Sequence, residues 1–71
     1  MKREFTAILE KGERYLIATC PEVPEAAGQG STREEALRDL AGSIQSVLEY
    51  RLGEALSRLS VGAERTVVEV P

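Results

Sequence analysis

The sequence predicts an α+β fold, a two-layer sandwich of order β-β-β-α-β in which one long helix covers a mostly antiparallel sheet. Residues 4–10 alternate apolar and polar side chains with a period of two, which is typical of a half-buried strand, and residues 15–20 are rich in β-forming side chains. Residues 33–59 repeat apolar side chains at steps of three and four, which is typical of an amphipathic helix. Residues 64–70 alternate again and predict a final strand.

The first two strands are predicted at 4–10 and 15–20, close enough in sequence to form a hairpin around Gly12. In the first strand, Phe5 and Leu9 belong to the apolar face. In the second strand, Tyr15, Ile17 and Thr19 form one face, and Leu16, Ala18 and Cys20 form the other. Both strands therefore predict one face packed on a core.

Two prolines interrupt the sheet after the hairpin. Pro21 and Pro24 cannot donate ladder hydrogen bonds, so regular pairing stops there, and Val23 between them is a candidate anchor to the core. A third strand is predicted at 25–30. Its two glycines predict a bulge or a close approach of another backbone.

A helix start signal follows the third strand. Ser31 and Thr32 both suit an N-cap, and Glu34 and Glu35 stand three residues after them, so either pair predicts a capping box. Acidic residues in the first turn also suit the helix dipole. The helix is predicted to end near Ser60.

The far end of the helix has a predicted break and a predicted surface. Gly53 is the expected kink, and Gly62 is the expected C-cap. A helix of about 28 residues would span about 42 Å, whereas a strand spans about 20 Å, so its last part has no sheet beneath it. Exposed apolar side chains there predict a partner or oligomer surface. That surface comprises Val47, Leu48, Leu52, Leu56 and Leu59.

Composition excludes several function classes. The 71 residues form a single domain, 1–71, with a net charge of −3, no histidine and one cysteine. Catalytic triads and the usual structural zinc sites need histidine or several cysteines, and a nucleic-acid-coating surface needs basic residues. We therefore predict no catalytic residue, no metal and no cofactor.

No signal peptide or membrane span is evident, and a cytoplasmic location is expected. So small a core predicts self-association, as a homodimer or a tetramer.

Three features could carry chemistry, and each has a simpler structural interpretation. Cys20 has no neighbour in sequence that would activate it and is interpreted as a small buried hydrophobe. Glu22 and Glu25 are interpreted as solvated carboxylates of a proline-bounded loop. The glycines at 28 and 30 fit neither a P-loop nor a dinucleotide fingerprint and are interpreted as serving the turn into the helix.

The stretch from Tyr15 to Ala36 closely resembles the signature of the HicB-like antitoxin family. That signature has an aromatic residue, Cys-Pro-Glu-Leu-Pro-Gly, a strand ending in Gln-Gly, and Thr-x-Glu-Glu-Ala at the helix start. Val23 replaces the usual leucine, Glu25 replaces glycine, and Ala26 stands where cysteine is common. The matching residues are Tyr15, Ala18, Cys20, Pro21, Glu22, Pro24, Gln29, Gly30, Thr32, Glu34, Glu35, Ala36 and Leu37.

The resemblance implies a fold related to partial RNase H or double-stranded-RNA-binding domains, and usually a homo-oligomer. It implies a non-enzymatic module that sequesters a small basic mRNA-cleaving toxin. Larger members continue into a DNA-binding domain; the chain ends at Pro71, so no direct DNA binding is expected. The family also includes short stand-alone members, formerly an uncharacterised protein family, and this chain is similar to those.

Two alternatives to the antitoxin role stay open at this point. The chain could be a structural oligomer that has no toxin partner. It could also be a nuclease-like domain in which Glu22, Glu25 and Asp39 bind Mg²⁺ for phosphodiester cleavage. Their positions in sequence do not by themselves bring the three carboxylates together.

Overall fold

The computed structural model describes residues 3–71 and contains three short strands followed by one long helix. The elements are β1 (Ile8–Lys11), β2 (Leu16–Thr19), β3 (Ala27–Gly30) and α1 (Arg33–Ser57). The predicted α+β class and the order β-β-β-α are therefore confirmed. The strands are shorter than predicted, because regular pairing is confined to four residues in each.

The three strands form an antiparallel sheet in the order β1-β2-β3. Ile8 pairs with Thr19 across the first ladder, and Thr19 pairs with Ala27 across the second. β2 is thus central, while β1 and β3 are edge strands. The hairpin predicted around Gly12 is confirmed, and the Gly12 N–H donates to the Tyr15 carbonyl at 2.8 Å.

The core lies between α1 and one face of the sheet, and small side chains dominate it. Val23 is buried, as predicted for an anchor between the two prolines. Half-buried side chains surround the core: Phe5, Leu9, Leu16, Val47 and Leu48. The buried residues are Ala18, Cys20, Val23, Ala26, Ala36, Leu40 and Ile44.

The small core follows from how closely α1 approaches β3. A Cβ added to Gly28 would lie 2.3 Å from the Leu40 amide nitrogen, and one added to Gly30 would lie 2.7 Å from the Ala36 amide nitrogen. Both distances are below any normal contact, so the helix backbone packs directly on the backbone of β3. The predicted close approach at these glycines is confirmed, and the alternative of a bulge is not needed.

Thr32 is the N-cap of α1, which settles the choice left open by the sequence. Its hydroxyl accepts a hydrogen bond from the Glu35 N–H at 3.2 Å. The Glu35 carboxylate in turn accepts from the Ser31 N–H at 3.0 Å. Side chains thus satisfy amides that the helix itself leaves without partners.

The predicted break at Gly53 is wrong, because α1 is continuous from Arg33 to Ser57. The predicted C-cap is also wrong. The helix ends three residues earlier than expected, and its C-cap is Arg58, whose N–H reaches the carbonyls of Ala55 and Leu56. A glycine lowers helix propensity without ending the hydrogen-bonded ladder.

Gly62 instead belongs to a separate β-turn beyond the helix. The Ala63 N–H donates to the Ser60 carbonyl at 3.1 Å, and Gly62 has a φ of +89° at the third position. None of the non-glycine residues in 3–71 has a positive φ, so the turn fits type II, which favours glycine at this position.

Replacing either exposed helical glycine by alanine is expected to stabilise the fold. A Cβ at Gly42 or Gly53 would meet no atom within 4 Å. Gly42→Ala and Gly53→Ala should each raise the free energy of unfolding by up to about 1 kcal/mol, because alanine restricts the unfolded chain and favours helix. Urea denaturation followed by circular dichroism measures this change. If both variants were less stable than the unmutated chain, the helix surface at Gly42 and Gly53 could not be open as described.

The predicted final strand at 64–70 is wrong for the single chain. Residues 63–71 have no regular secondary structure and are all exposed; Val67 and Val68 are 88% and 84% exposed. The physical reason is the overhang of the helix. Ile44 is the last buried helical residue, and the remaining 13 residues to Ser57 carry the chain about 20 Å beyond the sheet. The segment has no neighbouring strand there with which to pair.

Within residues 3–71, no helix is both long enough and apolar enough to cross a membrane.

Candidate partner-binding surfaces

The end of α1 beyond Ile44 exposes an apolar stripe. Leu52 and Leu59 are 54% and 51% exposed, while Leu48 and Leu56 are half-buried. Leu48, Leu52 and Leu56 follow at steps of four and Leu59 at a step of three, so their side chains line one side of the helix. We call these four residues the overhang stripe.

Val47, the fifth residue of the predicted surface, lies apart from the stripe. Val47 and Leu48 are both half-buried and pack against the core, but Val47 lies about 100° around the helix from Leu48 and so faces away from the stripe. It also borders a shallow depression next to Tyr50 and the ion pair between Glu25 and Arg51. The structure therefore brings four of the five predicted residues together and uses Val47 mainly to extend the core.

An apolar groove runs beside the N-terminal half of the helix. It has a volume of about 460 Å³ and lies between the segment leading into β1 and the helix. Sequence patterns did not identify it, because Phe5 and the helix meet only in the folded chain. Leu48 belongs both to the groove and to the overhang stripe, so the two surfaces are continuous. We call it the β1 groove, and its apolar lining consists of Phe5, Ala7, Leu37, Leu40, Ala41, Ile44 and Leu48.

The two edges of the sheet differ in how their amides are satisfied. At β3, the Ser43 hydroxyl accepts from the Ala27 N–H at 3.1 Å, and the Asp39 carboxylate accepts from the Gln29 N–H at 3.0 Å. Ser43 and Asp39 are four residues apart on α1 and therefore lie on the same side of it. The helix thus occupies the outer edge of β3, which reduces its capacity to add another strand.

Glu22 fastens the segment before β1 to the proline loop. Its two carboxylate oxygens each lie 3.1 Å from the Thr6 amide nitrogen, and one of them lies 2.7 Å from the Thr6 hydroxyl. The Cys20 thiol also points to this carboxylate at 3.4 Å. These hydrogen bonds, led by that of the Thr6 hydroxyl, lower the pKa of Glu22. Glu22 therefore links the proline loop to the segment that leads into β1.

The stability of the fold should depend on the charge of Glu22. Because its pKa is lower in the folded chain, its contribution is present above the unfolded-state pKa and is lost as the pH falls through the folded-state pKa. Glu22→Gln should lower stability at neutral pH and flatten the acid dependence. Urea midpoints at pH 7 and pH 3 measure both effects. Glu13→Gln, in the exposed hairpin turn, is the control; an equal flattening there would contradict the Glu22 assignment.

The three carboxylates considered for Mg²⁺ have different partners. Glu22 contacts Thr6, Asp39 contacts the Gln29 amide, and Glu25 forms an ion pair with Arg51. The hydrogen bond from the Arg51 guanidinium lowers the pKa of Glu25. Within residues 3–71, no three carboxylate or thiol side chains are placed to hold a metal ion together. The geometry does not favour the nuclease-like alternative.

Most of the signature residues from 15 to 36 act in the fold. Cys20 is buried in the core, as predicted, and Gly30 and Thr32 place the start of the helix. Tyr15 is the exception. Its side chain is 47% exposed and does not pack in the core. The two-residue period of a strand places Tyr15 on the same face as the exposed Ile17, opposite the buried Ala18.

Comparison with known proteins finds a relative of matching length. The chain is 40% identical over 72 residues to the UPF0150 protein ssl0738 of Synechocystis sp. (strain ATCC 27184 / PCC 6803 / Kazusa), covering 100% of both sequences. No family model matches the chain, and no solved structure matches it significantly. The similarity therefore includes both the proline loop and the helix that carries the overhang stripe.

Proposed function

The chain belongs to the UPF0150 family, and on that premise we propose that it is a non-enzymatic protein-binding module of the antitoxin type. Its partner is a small basic mRNA-cleaving protein, which it sequesters. The proposal is supported by the HicB-like signature between residues 15 and 36 and by the apolar surface at the end of α1. No step of this function requires chemistry by the chain itself.

The overhang stripe is the observation that carries the proposal. A half-exposed Leu52 and Leu59 on a continuous helix form a preorganised apolar ridge. Amphipathic helices recognise partners by laying such a ridge into a complementary groove. Because the helix is already formed, little conformational entropy is lost on binding.

Charge favours a basic partner over an acidic one. The sequence has 12 acidic and 9 basic residues and a net charge of −3. On the stretch of helix that carries the stripe, Glu49 and Glu54 are balanced by Arg51 and Arg58, so the preference for a basic partner comes from the net charge of the whole chain. A net acidic protein accelerates the encounter with a basic one and repels nucleic acid.

Co-expression with the product of the adjacent gene tests the proposal. We expect a stable complex on size exclusion and suppression of mRNA cleavage by the partner. Leu52→Glu combined with Leu59→Glu should weaken binding at least about tenfold, because a desolvated leucine at an interface contributes more than 1.4 kcal/mol. Isothermal titration calorimetry measures the Kd.

Tyr50→Glu is the matched control. Tyr50 is exposed on the same part of the helix but lies outside the overhang stripe, so this variant should bind as the natural chain does. An active nuclease that forms no complex would overturn the proposed function. Equal binding by the double variant would overturn the assignment of the stripe.

A further inference from the structure

The C-terminal segment 64–70 has the pattern of a strand but pairs with no strand within residues 3–71. Thr66, Val68 and Val70 alternate with Arg65, Val67 and Glu69, so one face of an extended segment would be largely apolar and the other largely charged. All of these residues are exposed. Isolated extended segments are not stable in water, since their amides and apolar side chains gain nothing by staying extended.

The outer edge of β1 is open to receive a strand. The Gly12 N–H points to the Tyr15 carbonyl, and the Thr6 N–H points to Glu22. Amides of alternate residues face the same side of a strand, so the even-numbered amides face β2. The amides of Ala7, Leu9 and Lys11 therefore face outwards.

The same side of the molecule has an apolar groove to bury the side chains of such a strand. The β1 groove is bordered by Phe5 and Ala7 on one side and by the helix on the other. A strand added to β1 would extend the sheet over this groove. The apolar face with Val68 and Val70 suits it, while the face with Arg65 and Glu69 would stay in water.

In the folded chain the C-terminal segment does not lie on the edge of β1. Residues 63–71 have no regular secondary structure and are all exposed, and they follow the end of a helix that runs well past its last buried residue, Ile44. The chain is also extended, with a radius of gyration of 15.7 Å against about 11 Å expected for 71 compact residues.

We propose that two copies exchange their C-terminal segments: residues 64–70 of each copy add as a strand to the free edge of β1 in the other and cover its β1 groove. Exchange satisfies the open β1 amides and buries Val68 and Val70 of both copies. It also provides the additional core that a chain of this size needs. This inference does not depend on the proposed toxin partner.

Light scattering on the full chain, without any partner, tests the exchange. The natural chain should have the mass of a dimer, twice 7.7 kDa. Val68→Lys should raise the dimer dissociation constant at least about tenfold, because the change acts at both exchanged strands and places a charge in an apolar groove. Val67→Lys, on the solvent-facing side, is the matched control and should leave the dimer intact.

Hydrogen exchange measured against protein concentration locates the added strand. The amides of Ala7, Leu9 and Lys11 should be protected in the dimer and should lose protection on dilution, together with the mass. In Val68→Lys they should exchange freely at every concentration. The even-numbered amide of Glu10, which faces β2, should stay protected throughout and reports that the hairpin remains folded.

Three results would overturn the exchange. The first is a monomer at all concentrations with unprotected β1 amides. The second is a monomer with protected β1 amides, which would mean that the segment returns to its own sheet. The third is a dimer that Val68→Lys does not weaken. A failure to bind a basic nuclease would leave all of these readouts unchanged, so the two proposals fail separately.

Discussion

Gly28→Ala is expected to destabilise the fold by at least about 3 kcal/mol, which is at or above the upper end of the usual cost of overpacking. The added Cβ would lie 2.3 Å from the Leu40 amide nitrogen and 2.8 Å from the Ala36 carbonyl oxygen. Both atoms belong to the helix backbone, which cannot move aside as a flexible side chain would. The helix would have to separate from β3.

Urea denaturation followed by circular dichroism and by hydrogen exchange checks this result. Gly42→Ala is the matched control, because it adds the same methyl group at an open position of the helix. If Gly28→Ala had the same free energy of unfolding as the unmutated chain, the helix would not lie on β3 as described. A loss of tertiary protection with retained helical signal would be the direct sign of separation.

Leu40→Ala is expected to lower the free energy of unfolding by about 2–5 kcal/mol, because it leaves a cavity in a core that small side chains cannot refill. Leu40 is 3% exposed and belongs to the central turn of the buried helix face. Its core neighbours Ala18, Ala26 and Ala36 have no longer side chain to swing inward. In a domain of marginal stability this loss should unfold much of the population.

Leu52→Ala supplies the matched control, since it makes the same substitution in the same helix at an exposed site. It should change the free energy of unfolding of the isolated chain by less than about 0.5 kcal/mol. Thermal or urea unfolding of both variants gives the comparison. Similar losses in the two variants would show that the overhang is packed in the free protein and would contradict its description as an exposed surface.

Local patterns predicted most of the framework. Alternation and β-forming side chains identified β1 and β2, and steps of three and four identified the helix and its buried face, from Ala36 to Ile44. The capping residues predicted where the helix begins. These features depend on residues within a few positions of one another, so a sequence contains the information that decides them.

The site was less predictable than the framework. Periodicity identified the overhang stripe, because excess helix length is visible in the sequence. The β1 groove was not predicted, since it needs Phe5 and Leu48 side by side although they are far apart in sequence. The role of Glu22 was also not predicted, because its partner Thr6 lies 16 residues earlier.

The sequence by itself determined the type of each element, the faces of its strands and the start of its helix. Only the tertiary structure decided that β3 has its edge covered by Ser43 and Asp39 while β1 stays open. Only the tertiary structure showed that 64–70 pairs with none of the strands in residues 3–71. Local patterns set the conformation a segment prefers, whereas pairing requires that a free edge lie within reach, and reach depends on where a rigid helix carries the chain.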